Sequence, residues 1–128
     1  MIDVRLSCDI DAPGNARRAL NGLSERIDGP VLDDIRLLVS ELVTNGVRHT
    51  GQGPSGWVRL VIRLGHDGVR VEVSDPGPGF DDVPPPTIYQ ESGWGLYLVE
   101  QVSSRWGVEH GEGNTVWFEV DCPVKTAA

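Results

Sequence analysis

The stretch Glu41-Leu42-Val43-Thr44-Asn45-Gly46-Val47-Arg48-His49 (ELVTNGVRH) decides how the rest of the chain is read. Glu41, Asn45 and His49 recur every fourth position, so on a helix they stack along one face. Leu38, Val39, Leu42 and Val43 point elsewhere, toward a core. A polar group buried without a hydrogen bond costs about 1–3 kcal/mol in proteins. A carboxylate and an amide on one side of an apolar helix therefore imply something for them to meet.

Around that stretch, Val31 to His49 is the longest periodic segment, with Leu32, Ile35, Leu38, Val39 and Leu42 on one stripe, and is expected to be a helix. On its N-terminal side, Asp28-Gly29-Pro30 reads as a stop signal. Ala16 to Ile27 reads as a shorter helix with Ala16, Ala19, Leu20, Leu23 and Ile27 facing inward. Ala12-Pro13-Gly14-Asn15 reads as a break, and residues 2–10 as a strand with Ile2, Val4, Leu6 and Cys8 on one side.

On the C-terminal side, Thr50 to Gly56 has the composition of a loop. Residues 57–64 and 69–73 read as strands of a hairpin around Gly65-His66-Asp67-Gly68, whose Asp-Gly is expected to supply positive φ. Residues 75–92 are irregular and carry Pro76, Pro78 and Pro84-Pro85-Pro86. A helix over 96–103 and strands over 106–110 and 115–120, joined at Gly111 to Asn114, complete the order β-α-α-β-β-loop-α-β-β. The expected fold is an α+β two-layer sandwich, its sheet mixed but mostly antiparallel, with the helices on one face. At 128 residues the chain is read as one domain, 1–128.

Nineteen acidic against 11 basic residues give a net charge of −8. That argues against a nucleic-acid binder, which needs clustered Lys and Arg for the phosphate backbone; Arg17-Arg18 is the only adjacent basic pair. An acidic chain still binds a nucleotide when a metal ion and backbone N–H groups carry the phosphates. Cys8 and Cys122 match no metal spacing and read as two buried thiols. The N-terminal MIDVRLSCDI has no apolar signal core and no stretch approaches a membrane span, so a cytoplasmic protein is expected.

Two glycine motifs remain. Asp75-Pro76-Gly77-Pro78-Gly79 follows directly from a strand. Either it is a turn capped by aspartate, or it presents a carboxylate to an exocyclic amine where glycines let backbone approach a ligand closely. Gly93-Trp94-Gly95-Leu96 opens a helix: either a pliant start, or free N–H groups forming an anion site. It is neither a P-loop nor a dinucleotide fingerprint.

Taken in order, ELVTN, DPGPG after a hairpin, GWGL opening a helix and Gly113-Asn114-Thr115 entering the last strand resemble the GHKL ATPase superfamily. Within it the likeness is to the small bacterial anti-sigma factor serine/threonine kinases, over nearly the whole chain to Trp117–Val120. The resemblance implies the Bergerat ATP-binding fold, with ATP held between the helices and a loop lid. It implies Asn45 as the magnesium ligand, an amide oxygen being a suitable hard donor, and Glu41 as general base. It implies Asp75 as the adenine reader, Gly77 and Gly79 as close-approach glycines, Gly93, Gly95 and Leu96 on the phosphate side, and Thr115 in support of the adenine contact.

Glu41 and Asn45 would then face one triphosphate, a base and a metal ligand one helical turn apart. His49 reads as a helix-end or core histidine, and Arg48 either reaches phosphate or sits in solvent. ATP and magnesium are the implied cofactors. A sigma factor and an anti-sigma factor antagonist are the implied partners, with a homodimer a further expectation.

The pattern departs from the family at Trp94, where many relatives carry a basic residue. No Lys or Arg occurs from Val71 to Glu100. Transferring phosphoryl groups usually meet a cation, so a second reading is a catalytically weak nucleotide-binding module that sequesters a regulatory partner. A third is the ATP-binding domain of a split sensor kinase.

Overall fold

The structure, a computed structural model, describes residues 1–49, 56–76, 95–111 and 113–125, the side chains of His49, Leu96, Tyr97 and His110 excepted. Strand β1 (Ile2–Ser7) leads to helix α1 (Ala12–Ala19), a 3-10 turn (Leu20–Leu23) and the long helix α2 (Gly29–His49). Strands β2 (Trp57–Leu64) and β3 (Gly68–Asp75) follow, then helix α3 (Gly95–Val102), β4 (Arg105–His110) and β5 (Asn114–Asp121). The expected element order stands. One sheet has the strand order β1-β2-β3-β5-β4, and its four described pairings are all antiparallel.

The alternation of the strands and the stripe of the helices build one core. Leu32, Ile35, Leu38, Val39, Leu42 and Val43 of α2 are buried, as the periodicity requires. They share the core with Val58, Leu60 and Ile62 of β2, Val69, Val71 and Val73 of β3, and Phe118 and Val120 of β5. Helix α1 packs on α2 and β1, while α3 packs on α2 and β4, so the helices form one layer. Cys8 and Cys122 are buried and form no disulfide.

Three local readings need correction. The break expected at Ala12-Pro13-Gly14-Asn15 is the first turn of α1. Proline there lacks only an N–H that a first turn leaves unused, and its φ already suits a helix. For the same reason Gly29-Pro30 starts α2 instead of stopping its predecessor. The helix before it is shorter than expected, but Ile27 N donates to Leu23 O at 3.1 Å, which keeps Ile27 in the core.

The hairpin turn closes through Gly65 N donating to Gly68 O at 2.9 Å. Gly68 does not take positive φ; it is required because a Cβ there would lie 2.7 Å from the carbonyl oxygen of Val120 on the neighbouring strand.

The face of the sheet away from the helices is charged and internally matched. Arg63 and Arg70 both donate to Glu72, at 2.9 and 3.1 Å, and Arg70 and Arg105 both donate to Glu119, at 3.1 and 2.7 Å. Arg105 also pairs with Asp121, and Arg59 of β2 with Asp3 of β1. Such exposed pairs are individually worth little. Arg70 and Arg105 each stand directly opposite Glu119, which favours the observed register of β3, β5 and β4, while the other cross-strand pairs lie diagonally.

Hydrogen bonds from Arg59 hold the Asp3 carboxyl below the usual carboxylate range, and those from Arg105 do the same for Glu119 and Asp121. A carboxyl depressed in the folded state stabilises it above the unfolded pKa, about 4. That stabilisation is lost as pH falls through the folded value. Urea midpoints should therefore be flat from neutral pH to about 4 as far as these groups are concerned and fall below it. A midpoint that rises on acidification would contradict these pairings. Phe118, wholly buried at the sheet centre, should cost about 3–5 kcal/mol when replaced by Ala, read as a lower urea midpoint with unchanged m value.

Candidate functional site

Helix α2 carries the polar ladder. Glu41 is half-buried, and Asn45, four residues on, is only 8% exposed. Its amide oxygen has no hydrogen-bond partner among the described residues. Buried polar atoms are nearly always satisfied, so a lone amide oxygen calls for a ligand or ion. His49 is the last residue of α2, and its side chain lies outside the described residues. Arg48 is exposed.

Gly46, next to Asn45, sets how closely α2 approaches the sheet. A Cβ on Gly46 would lie 3.1 Å from Val58 Cγ2 and 3.8 Å from Asp75 Oδ2. The helix therefore rests on β2 at Val58, with the Asp75 carboxylate beside it. Asp75 is the last residue of β3, and in the register Val69, Val71 and Val73 precede it on the helix-facing side. Its position beneath α2 follows from strand alternation alone.

Across the sheet, Asp75 pairs with Asn114 and Ser74 with Thr115. Directly opposed residues share a face, so Asn114 stands beside Asp75 and donates from Nδ2 to Asp75 Oδ1 at 3.4 Å. Thr115, expected in support of the adenine contact, lies on the opposite face, where its hydroxyl meets Ser74 Oγ at 2.9 Å. Alternation forces this, since adjacent strand residues cannot both point under the helices.

The residue that sequence reasoning missed is thus Asn114. The signal was present: Asn114, Val116, Phe118 and Val120 share one parity, and Phe118 is plainly core. Gly113 completes the corner, since a Cβ there would fall within 2.1 Å of the Asp75 carbonyl oxygen.

Among the expected glycine-motif residues, Gly77, Gly79 and Gly93 lie outside the described residues. Gly95 is the first residue of α3 and Leu96 the second. A cavity of about 500 Å³ opens at this end of the sheet on the face away from the helices, lined by Arg5, Trp57, Ser74, Glu109 and Thr115, with Asp75, Gly113 and Asn114 at its edge. Another of about 460 Å³ lies at the far end, by the Gly65–Gly68 turn. Its arginines, Arg63, Arg70 and Arg105, are already matched by Glu72, Glu119 and Asp121, so the end bearing Asp75 is the candidate site.

The donor set suits a nucleotide with magnesium. Among the described residues no three His, Cys, Asp or Glu gather as a cage. Magnesium commonly takes one or two protein oxygens and completes its shell from phosphates and water. The orphaned oxygen of Asn45 is such a donor, and the Asp75 carboxylate is an acceptor for an amine.

With the geometry established, a family model described as "Histidine kinase-like ATPase domain" matches residues 6–120. The chain belongs to this family. The GHKL resemblance is thereby confirmed, and with it the fold class. The chain is 40% identical over 74 residues to an uncharacterised protein of Streptomyces coelicolor, covering 56% of this chain and 69% of that one. It is 30% identical over 97 residues to the serine-protein kinase RsbW of Bacillus cereus, covering 66% of this chain and 61% of the relative. The match thus spans less than two thirds of that kinase. The RsbW of Staphylococcus epidermidis is 29% identical over 132 residues, with 90% and 82% covered.

Among solved structures, the histidine kinase domain of a blue-light activated kinase from Erythrobacter litoralis aligns with a TM-score of 0.60 at 25% identity, over 86% of this chain and 59% of that one. A Mycobacterium tuberculosis structure comprising RsbU and RsbW domains aligns with a TM-score of 0.61 at 23% identity. It covers all of this chain and 35% of the other, and speaks to the fold alone.

The family's site geometry predicts a trade between site and stability. Replacing Asn45 with the similarly shaped Leu removes a buried acceptor that nothing described satisfies. Thermal unfolding of the ligand-free Asn45→Leu chain should show a gain of about 1–2 kcal/mol. A clear loss of stability would mean that the amide already has a structural partner.

Proposed function

We propose that residues 1–128 act as one ATP-binding domain, and that the protein is a cytoplasmic serine/threonine kinase of the anti-sigma type. It would hold a sigma factor and phosphorylate an anti-sigma factor antagonist. The observation that carries the reading is the buried, partnerless amide oxygen of Asn45 one helical turn from Glu41. Family membership and the two RsbW relatives support it.

The chain's own groups have distinct tasks in this reading. Asp75 accepts a hydrogen bond from the exocyclic amine of adenine and so orients the nucleotide. Gly77 and Gly79 let the backbone come close to the base and sugar. Gly93, Gly95 and Leu96 bring the start of α3 to the phosphates, where free N–H groups and the helix dipole favour negative charge. Glu41 accepts the proton of the antagonist's serine or threonine hydroxyl as it attacks, a role that needs hydrogen-bond reach to that hydroxyl. Asn45 would hold magnesium, which when bound offsets the charge on the phosphate oxygens.

A second reading, a catalytically weak module that sequesters its partner, has one specific observation in its favour. No Lys or Arg occurs from Val71 to Glu100, and the arginines of β2, β3 and β4 are engaged on the face away from the helices.

Calorimetric titration separates these readings. Wild type should bind ATP in a magnesium-dependent manner, and Asp75→Asn should abolish the heat of binding. Glu41→Gln should bind ATP like wild type but transfer phosphate to a co-encoded antagonist about 100-fold or more slowly. Tight ATP binding without any Glu41-dependent transfer would select the sequestering module.

A further inference from the structure

We propose that the open edge of the sheet at β1 is a dimer interface, on which a second copy of this chain pairs its own β1 antiparallel in a register centred on Val4. The proposal names a surface and a register, and it stands independently of the nucleotide reading.

Strand β1 begins the strand order of the sheet and pairs on one side with β2. Cys8 N donates to Gly56 O at 3.2 Å, in register with the β1–β2 ladder. Backbone groups of an antiparallel strand alternate between its two sides, so Ile2, Val4 and Leu6 turn theirs to β2. Asp3 and Arg5 turn theirs to the open edge. Such an unpaired row is a template for another strand.

The side chains select the strand that fits. Arg5 stands directly opposite Arg59 in the β1–β2 pairing and lies over the ring of Trp57 at 4.4 Å. Like charges so placed destabilise a strand pair, and a carboxylate on the open side would offset them. The sequence of β1 supplies one. Around Val4 the strand reads Ile2-Asp3-Val4-Arg5-Leu6, so antiparallel pairing centred there sets Asp3 of each copy across from Arg5 of the other. These are also the residues whose backbone groups face the edge, so each such pair exchanges both of its N–H···O bonds. On the helix side Ile2 meets Leu6 and Val4 meets Val4, which covers Ile2 and Val4, both half-buried in one copy.

Neighbouring registers do worse. Centring on Asp3 or on Arg5 opposes that residue to its own like charge, and the registers between set charged side chains against apolar ones. The twofold centred on Val4 also brings the end of β1 that leads to Ile10, 94% exposed, alongside Met1 and Ile2 of the other copy. A cavity of about 270 Å³ opens there among Met1, Ile2, Leu23 and Ile62. The other edge offers less. On β4, Arg105 already stands opposite Glu119 and pairs with Asp121 as well, and the middle of the strand is Gly107, with no side chain to bury.

Sedimentation velocity over a concentration series tests this on the 128-residue chain. Wild type should sediment as a dimer that dissociates on dilution. Asp3→Arg and Arg5→Asp each set like charges across the interface, and each should raise the dimer dissociation constant about tenfold or more. An equimolar mixture of the two variants should recover the wild-type dimer, because one strand is then doubly basic and the other doubly acidic. A wild type that stays monomeric overturns the proposal. A dimer that both substitutions leave intact overturns it too, since it must use another surface. So does a mixture that stays monomeric while each variant keeps the wild-type far-UV spectrum. Arg5→Pro serves where a charge variant does not fold, since proline removes an outward N–H and no bond of the ladder to β2. It should dissociate the dimer, and a dimer that persists overturns the proposal.

Discussion

Asp75 stands where three elements converge. It ends β3, it is opposed across the sheet by Asn114 of β5, and it lies beside the bare Cα of Gly46 on α2. Any side chain at Gly46 would push against Val58 and toward that carboxylate, so the separation of helix layer and sheet is set at this point. The sheet order supports it: β3 and β5 are neighbours although α3 and β4 lie between them in sequence. The chain must therefore leave the sheet at Asp75 and return to the same corner at Asn114, which makes this corner the open end of the fold.

The interior around that corner departs from the rest of the core. Among the described residues, the buried ones are apolar from Leu6 to Cys122, apart from Asn45 and Asn114. Each of these has an amide oxygen with no described partner. Buried polar atoms are ordinarily satisfied, and an unsatisfied one subtracts from stability. Two such atoms, one on the helix layer and one on the sheet, lie at the end where β3 finishes and β5 begins. A protein optimised only for stability would hold apolar residues there.

The opposite face of the sheet shows the contrast. Arg70 lies over the ring of Trp117 at 4.3 Å and also donates to Glu72 and Glu119. Gly107, opposite Trp117 in the β4–β5 pairing, leaves the indole room, since a Cβ would lie 2.8 Å from its Nε1. The described arginines of this face are engaged by neighbouring carboxylates or, for Arg5, by the ring of Trp57. Among the described residues, the buried side-chain polar atoms without a partner lie on the helix side of the sheet.

Periodicity alone determined most of this protein. The three-to-four spacing of α2 named its buried stripe, strand alternation placed the hairpins, and the run through Val69, Val71 and Val73 put Asp75 under the helices. Composition was a poorer guide at the helix starts, where Pro13 and Pro30 looked like breaks although a first turn has no use for their missing N–H. Gly68 was legible as a glycine but not for its reason, which is the neighbouring strand rather than its own φ. Strand parity with Phe118 already turned Asn114 inward and Thr115 outward. Tertiary structure alone decided that Asn114 stands directly across from Asp75, because no local property of the sequence fixes a register between strands so far apart in the chain.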